Sequence, residues 1–437
     1  MRLNHVIKYS SYTFLAKVIG TIALFLLNLY IAKISGAAVL GIFAIGTTFL
    51  SIVSVMSRLG VDSIAVKMAA PLHASKDYKA LNIIKNKFLI IVISASIIIS
   101  LLSLIIIYLL QINKWLEMEI VYVLTIFLMV LVPYNATQLI GELLKAIREP
   151  VVAAYVQSAS IYIIAIILLF TSYHILNYKI TSTLLTTIYG VATILSAFVA
   201  LVLWSKFKPN IKFNEMSKKS SESLRQIIKE STPLLLVSAL SMLMSWIDTI
   251  VLTAYVSYED IGVYSIAVKV SLLISLVLFA VNSVSTPIIS EFYNSNKYKE
   301  LEFFVKKITG MLIVAVIPMA IILNQFSHEI MSIFGTEFEY GNEVLIVLVV
   351  GQVINVICGP VGYLLIMTNN QIKYRNNVII SSIANLLLNL WLIPIYGIMG
   401  AAIATTLSLV LLNFLSLYMV HAAFGFWTIG IPPRRTS

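Results

Sequence analysis

The stretch "SWIDTIVLTAYVSYEDIGVYSIAVK", Ser245 to Lys269, consists of two apolar runs joined by a short polar segment. The first run has the composition of a helix buried in lipid, yet it contains Asp248, and the second run ends in Lys269. A charged side chain near the centre of a bilayer costs roughly 2.5–3.5 kcal/mol on insertion scales. Two such charges in one hairpin therefore indicate a functional site inside a membrane protein.

The whole chain has the composition of a membrane protein. Of its 437 residues 60% are hydrophobic and 11% are charged, and the mean hydropathy is +0.97, which excludes an ordinary soluble domain. Apolar runs of about 20 residues, long enough for a helix to cross about 30 Å of hydrocarbon, recur along the sequence. They predict an all-α polytopic protein with about twelve spans, at residues 12–32, 39–60, 88–110, 120–142, 151–173, 182–204, 233–254, 263–287, 308–328, 343–366, 378–396 and 399–421.

The placement of the basic residues predicts the topology. With a cytoplasmic N-terminus, 24 of the 30 lysines and arginines fall on the cytoplasmic side and only Lys33, Lys114 and Lys179 fall at the opposite surface. This asymmetry follows the positive-inside rule and places both termini in the cytoplasm. The net charge of +11 is then explained by topology and by attraction to anionic lipid, and we expect no nucleic-acid partner.

A weak internal repeat divides the chain into two halves. When the second half is shifted by 221 residues, "VIKYSS" (Val6–Ser11) meets "IIKEST" (Ile227–Thr232), and "LGIFAIG" (Leu40–Gly46) meets "IGVYSIA" (Ile261–Ala267). Parallel repeats in transporters form two lobes that rock about a central cavity, so we expect two six-helix lobes around such a cavity. The expected domains are an N-terminal lobe (1–204), a cytoplasmic linker (205–232), a C-terminal lobe (233–421) and a cytoplasmic tail (422–437).

Polar residues inside the predicted spans fall on single helix faces. Residues three or four positions apart share a face, and Arg58 and Asp62, for example, are one turn apart. These faces predict a wet interior, because lipid would not solvate them. The residues that we expect to line the cavity and bind substrate are Lys17, Arg58, Asp62, Lys67, Asp248 and Lys269, with Asn28, Gln138, Glu142, Lys145, Arg148 and Asn385 as a secondary set.

Structural explanations compete with these assignments. Lys17 and Arg58 lie a turn or two from the cytoplasmic surface and could extend to it, and Arg58 could form a purely structural pair with Asp62. Lys67, Lys145 and Arg148 could lie at the cytoplasmic mouth only because basic residues fix the orientation of the helices. Asp248 and Lys269 could form a salt bridge that only holds the second lobe together.

The depth of the charges in the hairpin follows from the predicted spans. Asp248 lies about six residues before the end of its span and Lys269 about six after the start of the next, so both would lie about 9 Å below the outer surface. Lys17 and Arg58 are expected near the opposite surface. The two pairs of charges would then act at successive stages of one passage, with uptake at the inner pair and release at the outer pair.

Enzyme and metal-site motifs are not found in the sequence. The five histidines are scattered, and the chain contains no P-loop, G-x-G-x-x-G or nucleophile elbow. One cysteine, Cys358, cannot form an internal disulfide. The sequence therefore predicts a transporter rather than an enzyme, with no resident cofactor.

Several stretches resemble one transporter family. "WIDTIVLTAYVSYEDIGVYSIAVKV" (Trp246–Val270), "LGIFAIGTTFLSIVSVMSRLGVDSIAVKMAA" (Leu40–Ala70) and "NLLLNLWLIPIYGIMGAAIATTLS" (Asn385–Ser408) resemble the corresponding helices of Wzx-type polysaccharide flippases. These proteins belong to the multidrug/oligosaccharidyl-lipid/polysaccharide (MOP) exporter superfamily, so the resemblance implies a MATE-like arrangement of the two lobes. The resemblance extends over nearly the whole chain, and Lys67 stands where the family often has arginine.

The resemblance implies a substrate and a pathway. It implies flipping of an undecaprenyl-diphosphate-linked oligosaccharide to the outer leaflet of the bacterial inner membrane, for O-antigen (lipopolysaccharide) or capsule assembly, beside a polymerase and glycosyltransferases. Lys17, Arg58 and Lys269 would hold the diphosphate, whose charge cannot cross hydrocarbon unneutralised. In the empty state of the transporter Asp248 would pair with a cation, or it would take up H⁺ or Na⁺ as the coupling ion. The sequence leaves this choice open.

Three alternatives compete with this function. A multidrug exporter of the same superfamily would need acidic residues in its cavity, whereas the bases outnumber the deep acids here. A membrane-embedded glycan polymerase or glycosyltransferase would need a large outer loop, and the predicted outer loops are short. A lipid II flippase would be expected to have fourteen spans rather than twelve.

Overall fold

The computed structural model describes residues 3–208 and 223–430. Within these ranges the chain is helical and contains no strand, so the predicted all-α class is confirmed. The α-helices are α1 (Leu3–Ser57), α2 (Val61–Ala74), α3 (Tyr78–Ile112), α4 (Met118–Met129), α5 (Leu131–Ala146), α6 (Pro150–Ala154), α7 (Ser160–Phe170), α8 (Ser182–Phe207), α9 (Leu224–Tyr255), α10 (Tyr258–Asn294), α11 (Tyr298–Gln325), α12 (Ser327–Ser332), α13 (Asn342–Ile357), α14 (Val361–Met367) and α15 (Gln371–Phe424). Short π-helical turns at Tyr155–Ala159 and Thr171–Ile175 flank α7, and a 3₁₀ segment, Thr336–Gly341, precedes α13.

The apolar helices are long enough to cross a membrane. Eight helices of the described residues pass the test of length and composition, or nine when the bent pair α4 and α5, which meet at 45°, counts as one span. On α3 the apolar residues Ile98, Leu102 and Ile105 are 55–57% exposed, as expected for side chains that face lipid. The chain is therefore a multi-pass membrane protein, while the number of twelve spans remains a prediction.

The two longest helices each contain a break at a glycine. At 1.5 Å per residue the 54 residues of α15 would measure about 80 Å, far more than a bilayer is thick. Gly397 has φ 55° and ψ −133°, a conformation that glycine adopts without a Cβ clash. Hydrogen bonds from Asn385 to Thr405 (3.5 Å) and from Asn377 to Ser416 (3.3 Å) show that the two halves of α15 run antiparallel. In α1 the corresponding break is at Gly36.

The start of α10 differs from the sequence-based boundary. We expected the span to begin at residue 263, but α10 begins at Tyr258, where Ser257 and Asp260 form a capping box. Acidic residues in a first helical turn stabilise the N-terminus of a helix, so α10 extends five residues beyond the start of the predicted membrane span. Lys269 lies eleven residues after the start of α10, or about 16 Å along the helix, and its depth of about 9 Å below the outer surface remains a prediction.

The linker and the tail are described only in part. Residues 209–222 of the expected linker (205–232) and residues 431–437 of the expected tail lie outside the described ranges. Helix α9 already begins at Leu224, so the last part of the expected linker is helical. After α15 ends at Phe424, Thr428 is buried and its hydroxyl donates to the carbonyl of Cys358 over 2.7 Å.

The chain divides into two compact units. The N-terminal unit consists of Leu15–Ser35 and Ile42–Ala239, and the C-terminal unit consists of Met1–Phe14, Gly36–Gly41 and Leu240–Ser437. The six residues 36–41 of α1 thus pack with the C-terminal unit although the residues on both sides of them belong to the other one. These limits describe packing, and the four expected domains remain a prediction.

The core of the N-terminal unit combines apolar packing with one buried polar network. Its apolar core is formed by residues of α2, α3 and α5, among them Phe88 and Leu143, which are fully buried. Beside it Asn135 accepts a hydrogen bond from Ser54 (2.6 Å) and donates to Ser57 (2.7 Å) and Ser96 (2.8 Å). Because these groups satisfy one another, the network is best explained as packing between helices.

Residues 36–41 are attached to the C-terminal unit by backbone contact. A Cβ on Gly262 of α10 would overlap the carbonyl oxygen of Ala37, and a Cβ on Gly41 would overlap the carbonyl oxygen of Tyr258. The Ala37 amide, at the start of a helical segment, donates to the Glu337 carboxylate over 2.8 Å. Two glycines thus allow the close approach, and an acidic side chain caps the resulting helix start.

Candidate functional site

A buried carboxylate lies at the centre of the C-terminal unit. Asp248, on α9, is 5% exposed and lies about 10 Å along the helix from its end at Tyr255. Its Oδ1 accepts hydrogen bonds from the amides of Asn389 (2.7 Å) and Asn385 (3.5 Å). Its Oδ2 accepts from the hydroxyls of Tyr264 (2.7 Å) and Thr405 (2.5 Å). We call these five residues the Asp248 cluster.

All four donors to this carboxylate are neutral. Among the residues that the structure describes, no Lys, Arg or His lies within 4.0 Å of the Asp248 carboxylate, so the direct Asp248–Lys269 salt bridge left open by the sequence is not formed. An ionised carboxylate that is removed from water normally needs a countercharge or a proton. The cluster therefore has the electrostatics of a site that takes up a cation or a proton.

Two oxygen atoms of the cluster support this interpretation. The side-chain carbonyl oxygens of Asn385 and Asn389 are buried and have no hydrogen-bond partner. A rotation of each amide by about 180° would point its oxygen, instead of its nitrogen, toward the carboxylate. Carboxylate, amide and hydroxyl oxygens are the ligands that hard cations prefer. With one carboxylate, the donor set fits a monovalent cation such as Na⁺ better than a divalent one.

The predicted residues of the N-terminal unit form two ion pairs. Arg58 and Asp62 are 3.2 Å apart, and their side chains are 12% and 21% exposed, so the structural pair considered in the sequence analysis is formed. Lys145 and Glu142 are 2.7 Å apart. Glu142 also accepts a hydrogen bond from Gln157 (2.8 Å).

Further basic groups lie close to the second pair. Lys17 and Lys145 have exposed side chains and are near enough for their ammonium groups to repel each other. Gln138 and Gln157 exchange side-chain-to-backbone hydrogen bonds of 3.2 and 3.0 Å, which fixes the neighbouring helices. The role of Lys17 and Lys145 in binding an anion remains a prediction.

The other predicted residues differ in burial. Asn28 is 1% exposed, and its amide donates to the carbonyl of Leu24 over 2.6 Å, as in a helix interior. Lys67 on α2 and Arg148 after α5 are exposed. Lys269 is partly buried in α10. The roles of these residues in binding remain predictions.

The sequence analysis missed Tyr264 and Thr405, which donate to Asp248, and Gln157, which donates to Glu142. Tyr264 lies in the stretch between Asp248 and Lys269, and Thr405 lies among small residues of the last predicted span. Both are hydroxyl groups within apolar runs, so a search for every polar atom in the spans would have found them. Grouping residues by the face of a single helix could not, because the cluster joins three helices.

Comparison with known proteins assigns the chain to a family. The profile of the family described as "Polysaccharide biosynthesis protein" matches residues 6–293, and the MatE profile matches residues 233–395. The probable low-salt glycan biosynthesis flippase Agl15 of Haloferax volcanii is 28% identical over 249 residues, which are 54% of this chain and 52% of that protein. The probable flippase AglR of the same organism is 29% identical over 173 residues, or 38% of this chain and 36% of AglR. The chain thus spans about half or less of these relatives.

Solved structures share the fold over almost the full chain. The lipid II flippase MurJ in an inward closed conformation has a TM-score of 0.73 at 19% identity, covering 95% of this chain and 87% of MurJ. An inward-facing MATE family transporter of the MOP superfamily has a TM-score of 0.71 at 13% identity, covering 95% and 98%. A MOP superfamily transporter from Pyrococcus furiosus has a TM-score of 0.66 at 14% identity, covering 96% of each chain.

These structural similarities show a fold of MATE and MurJ type, which agrees with the helices and their glycine breaks. The profile match extends through the whole N-terminal unit and includes α9, with Asp248, and nearly all of α10. On this match the chain belongs to the polysaccharide biosynthesis protein family of the MOP superfamily.

Proposed function

We propose that the protein flips a polyprenyl-diphosphate-linked oligosaccharide across the membrane by alternating access, driven by a cation that binds at Asp248. The observation that carries the proposal is the Asp248 cluster, a buried carboxylate held by neutral donors beside two amide oxygens without partners. A charge so deep in a membrane protein is expensive and typically marks an ion pathway.

The basic residues are proposed to bind the negatively charged part of the substrate. A diphosphate carries about two negative charges and must be neutralised before it leaves water. Lys17, Arg58 and Lys145, all in the N-terminal unit, are proposed to bind it through charge-assisted hydrogen bonds, and Lys269 of the C-terminal unit is proposed to bind it at a separate stage of transport. The ion pairs of Arg58 and Lys145 with acidic side chains would open as the phosphate replaces the carboxylates.

The relatives support a glycan substrate. Agl15 and AglR are both described as probable flippases, and Agl15 as one of glycan biosynthesis. We propose an undecaprenyl carrier, a bacterial cytoplasmic membrane with both termini inside, and O-antigen or capsule assembly alongside a polymerase and glycosyltransferases. The relatives come from an archaeon, so a flipping assay should compare undecaprenyl and dolichyl carriers that bear the same oligosaccharide.

Neutralising the basic residues tests whether they bind the diphosphate of the substrate. In proteoliposomes with a fluorescent undecaprenyl-diphosphate-linked oligosaccharide, Lys17→Gln, Arg58→Gln and Lys269→Gln should each slow flipping at least about tenfold, because one charge-assisted hydrogen bond contributes about 1.5–3 kcal/mol. The matched control is Lys299→Gln, which removes an exposed charge of α11 and should flip like the wild type.

The same assay separates this proposal from the alternatives. Wild-type flipping rates in all three variants would refute diphosphate binding by these residues. Efflux of an organic cation such as ethidium, without flipping of the lipid-linked oligosaccharide, would favour the multidrug exporter. Elongation of the glycan by the purified protein would favour a polymerase or glycosyltransferase.

A further inference from the structure

A row of buried polar side chains leads away from the Asp248 cluster along the first half of α15. Asn377, Ser381, Asn385 and Asn389 follow one another at steps of four residues, so they share one face of the helix. All four are at most 2% exposed. The row spans about 18 Å, and its Asn389 end is hydrogen-bonded to Asp248.

Several polar atoms along this row lack a partner. They are the side-chain oxygens of Ser381, Asn385 and Asn389, and the hydroxyl of the neighbouring Ser382 lacks a partner as well. A buried polar group left unsatisfied costs about 1–3 kcal/mol, so a series of them along one face is unfavourable in a dry interior. Water molecules or an ion along the row would satisfy these oxygens.

The other end of the row reaches a polar cavity. Asn377 donates to Ser416 over 3.3 Å, and Ser416 lines a cavity of about 90 Å³. Asn282, Asn355 and Asn413 also line it, and Asn413 donates to Asn355 over 3.0 Å. The Asn282 side chain is 6% exposed, and its carbonyl oxygen has no partner.

The chemistry of the cavity restricts its occupant. None of the described residues that line it is charged, so it contains neither a countercharge for an anion nor a carboxylate for a divalent cation. Its volume is enough for several water molecules, and amide and hydroxyl oxygens can replace part of the hydration shell of a monovalent cation. A hydrated monovalent cation fits these conditions.

We propose that the row on α15 and this cavity form a water-filled path within the C-terminal unit, through which the coupling cation passes between Asp248 and the part of the cavity lined by Tyr374. The cavity is a second, transient cation site on that path. The identity of the ion rests on the function proposed above, whereas the presence of water rests only on the unpartnered oxygens and the cavity. The lipid-linked substrate would not share this path.

Cysteine labelling tests whether water fills the row on α15. Because Cys358 is the single native cysteine, Cys358→Ser provides a background in which one introduced thiol reports on its surroundings. In proteoliposomes, Ser381→Cys should react with 2-aminoethyl methanethiosulfonate at least about tenfold faster than Val356→Cys, since only hydrated thiols ionise readily. Both positions are 0% exposed, so burial alone predicts equal rates. Equally slow labelling of the two would overturn the path.

Blocking the cavity tests the passage of the ion. Asn282→Leu should slow ²²Na⁺ uptake at least about tenfold while leaving the affinity for Na⁺ within about twofold, because Asp248 is untouched. Asn282→Ser retains a hydroxyl and should restore uptake, and Leu278→Met, an apolar exchange in the same lining, should have no effect. Wild-type uptake by the leucine variant would overturn the path.

The two proposals fail in different ways. If the wild type binds neither Na⁺ nor a proton in a manner that depends on Asp248, the coupled function is wrong. If this binding is present but Ser381→Cys remains unlabelled, only the path within the unit is wrong.

Discussion

Asp248→Asn is expected to abolish the dependence of the protein on its coupling cation. The variant keeps the size of the side chain but removes its charge. The new NH₂ group would face the hydrogen-bond donors of Asn389 or Thr405, which now donate to the carboxylate. At an effective dielectric constant of about 20, two unit charges about 4 Å apart attract by about 4 kcal/mol, which corresponds to about a thousandfold in affinity. The measurement is the melting temperature of the purified protein in Na⁺ and in choline, across a range of pH.

The matched control for this variant is Glu259→Gln. Glu259 is exposed in the first turn of α10, eleven residues from Asp248, so its neutralisation should leave the cation response as in the wild type. In proteoliposomes the control should still flip faster when a cation gradient is imposed, and Asp248→Asn should show one rate with and without the gradient. An unchanged Na⁺ or pH response in Asp248→Asn would refute the role of the cluster.

Gly262→Ala is expected to destabilise the protein strongly although it adds a single methyl group. The added Cβ would overlap the backbone carbonyl of Ala37, which cannot move aside as a flexible side chain can. Overpacking typically costs 1–3 kcal/mol and occasionally more, and a clash with backbone belongs at the upper end, about 3 kcal/mol. The result should be a lower melting temperature and a smaller monodisperse fraction in size-exclusion chromatography.

Gly310→Ala is the matched control, because the same exchange of glycine for alanine is expected to cause no loss of stability there. Gly310 lies within α11, and a Cβ there meets no atom within 4 Å. Alanine is favoured over glycine in a helix by about 1 kcal/mol, so this variant should be as stable as the wild type or more stable. If Gly262→Ala melts at the same temperature as Gly310→Ala, residues 36–41 do not make the close backbone contact described above.

The membrane class and most helices could be predicted because they depend on local sequence. Apolar runs report burial in lipid directly, and glycine at 36 and 397 marks the breaks that separate predicted spans. Helix α10 begins five residues before the predicted span, because hydropathy does not detect a capping box.

The candidate site could be predicted only in part. Asp248 and Asn385 stood out because a charge or an amide in an apolar run is costly wherever the chain folds. Their association could not be inferred, because Asn385, Asn389 and Thr405 lie 137 to 157 residues from Asp248 along the chain. The sequence left a salt bridge with Lys269 open, whereas the fold provides four neutral donors.

By itself the sequence determined that this chain spans a membrane, that it is built from apolar helices, and that a few charges lie where lipid would not tolerate them. Each of these follows from local composition, because the transfer of a side chain into lipid depends mainly on that side chain. Only the tertiary structure decided which polar groups surround Asp248, which amide oxygens remain unpaired, and where Gly262 meets Ala37. Hydrogen bonds and close contacts depend on distances of a few ångströms between remote segments, and hydropathy and periodicity do not encode such distances.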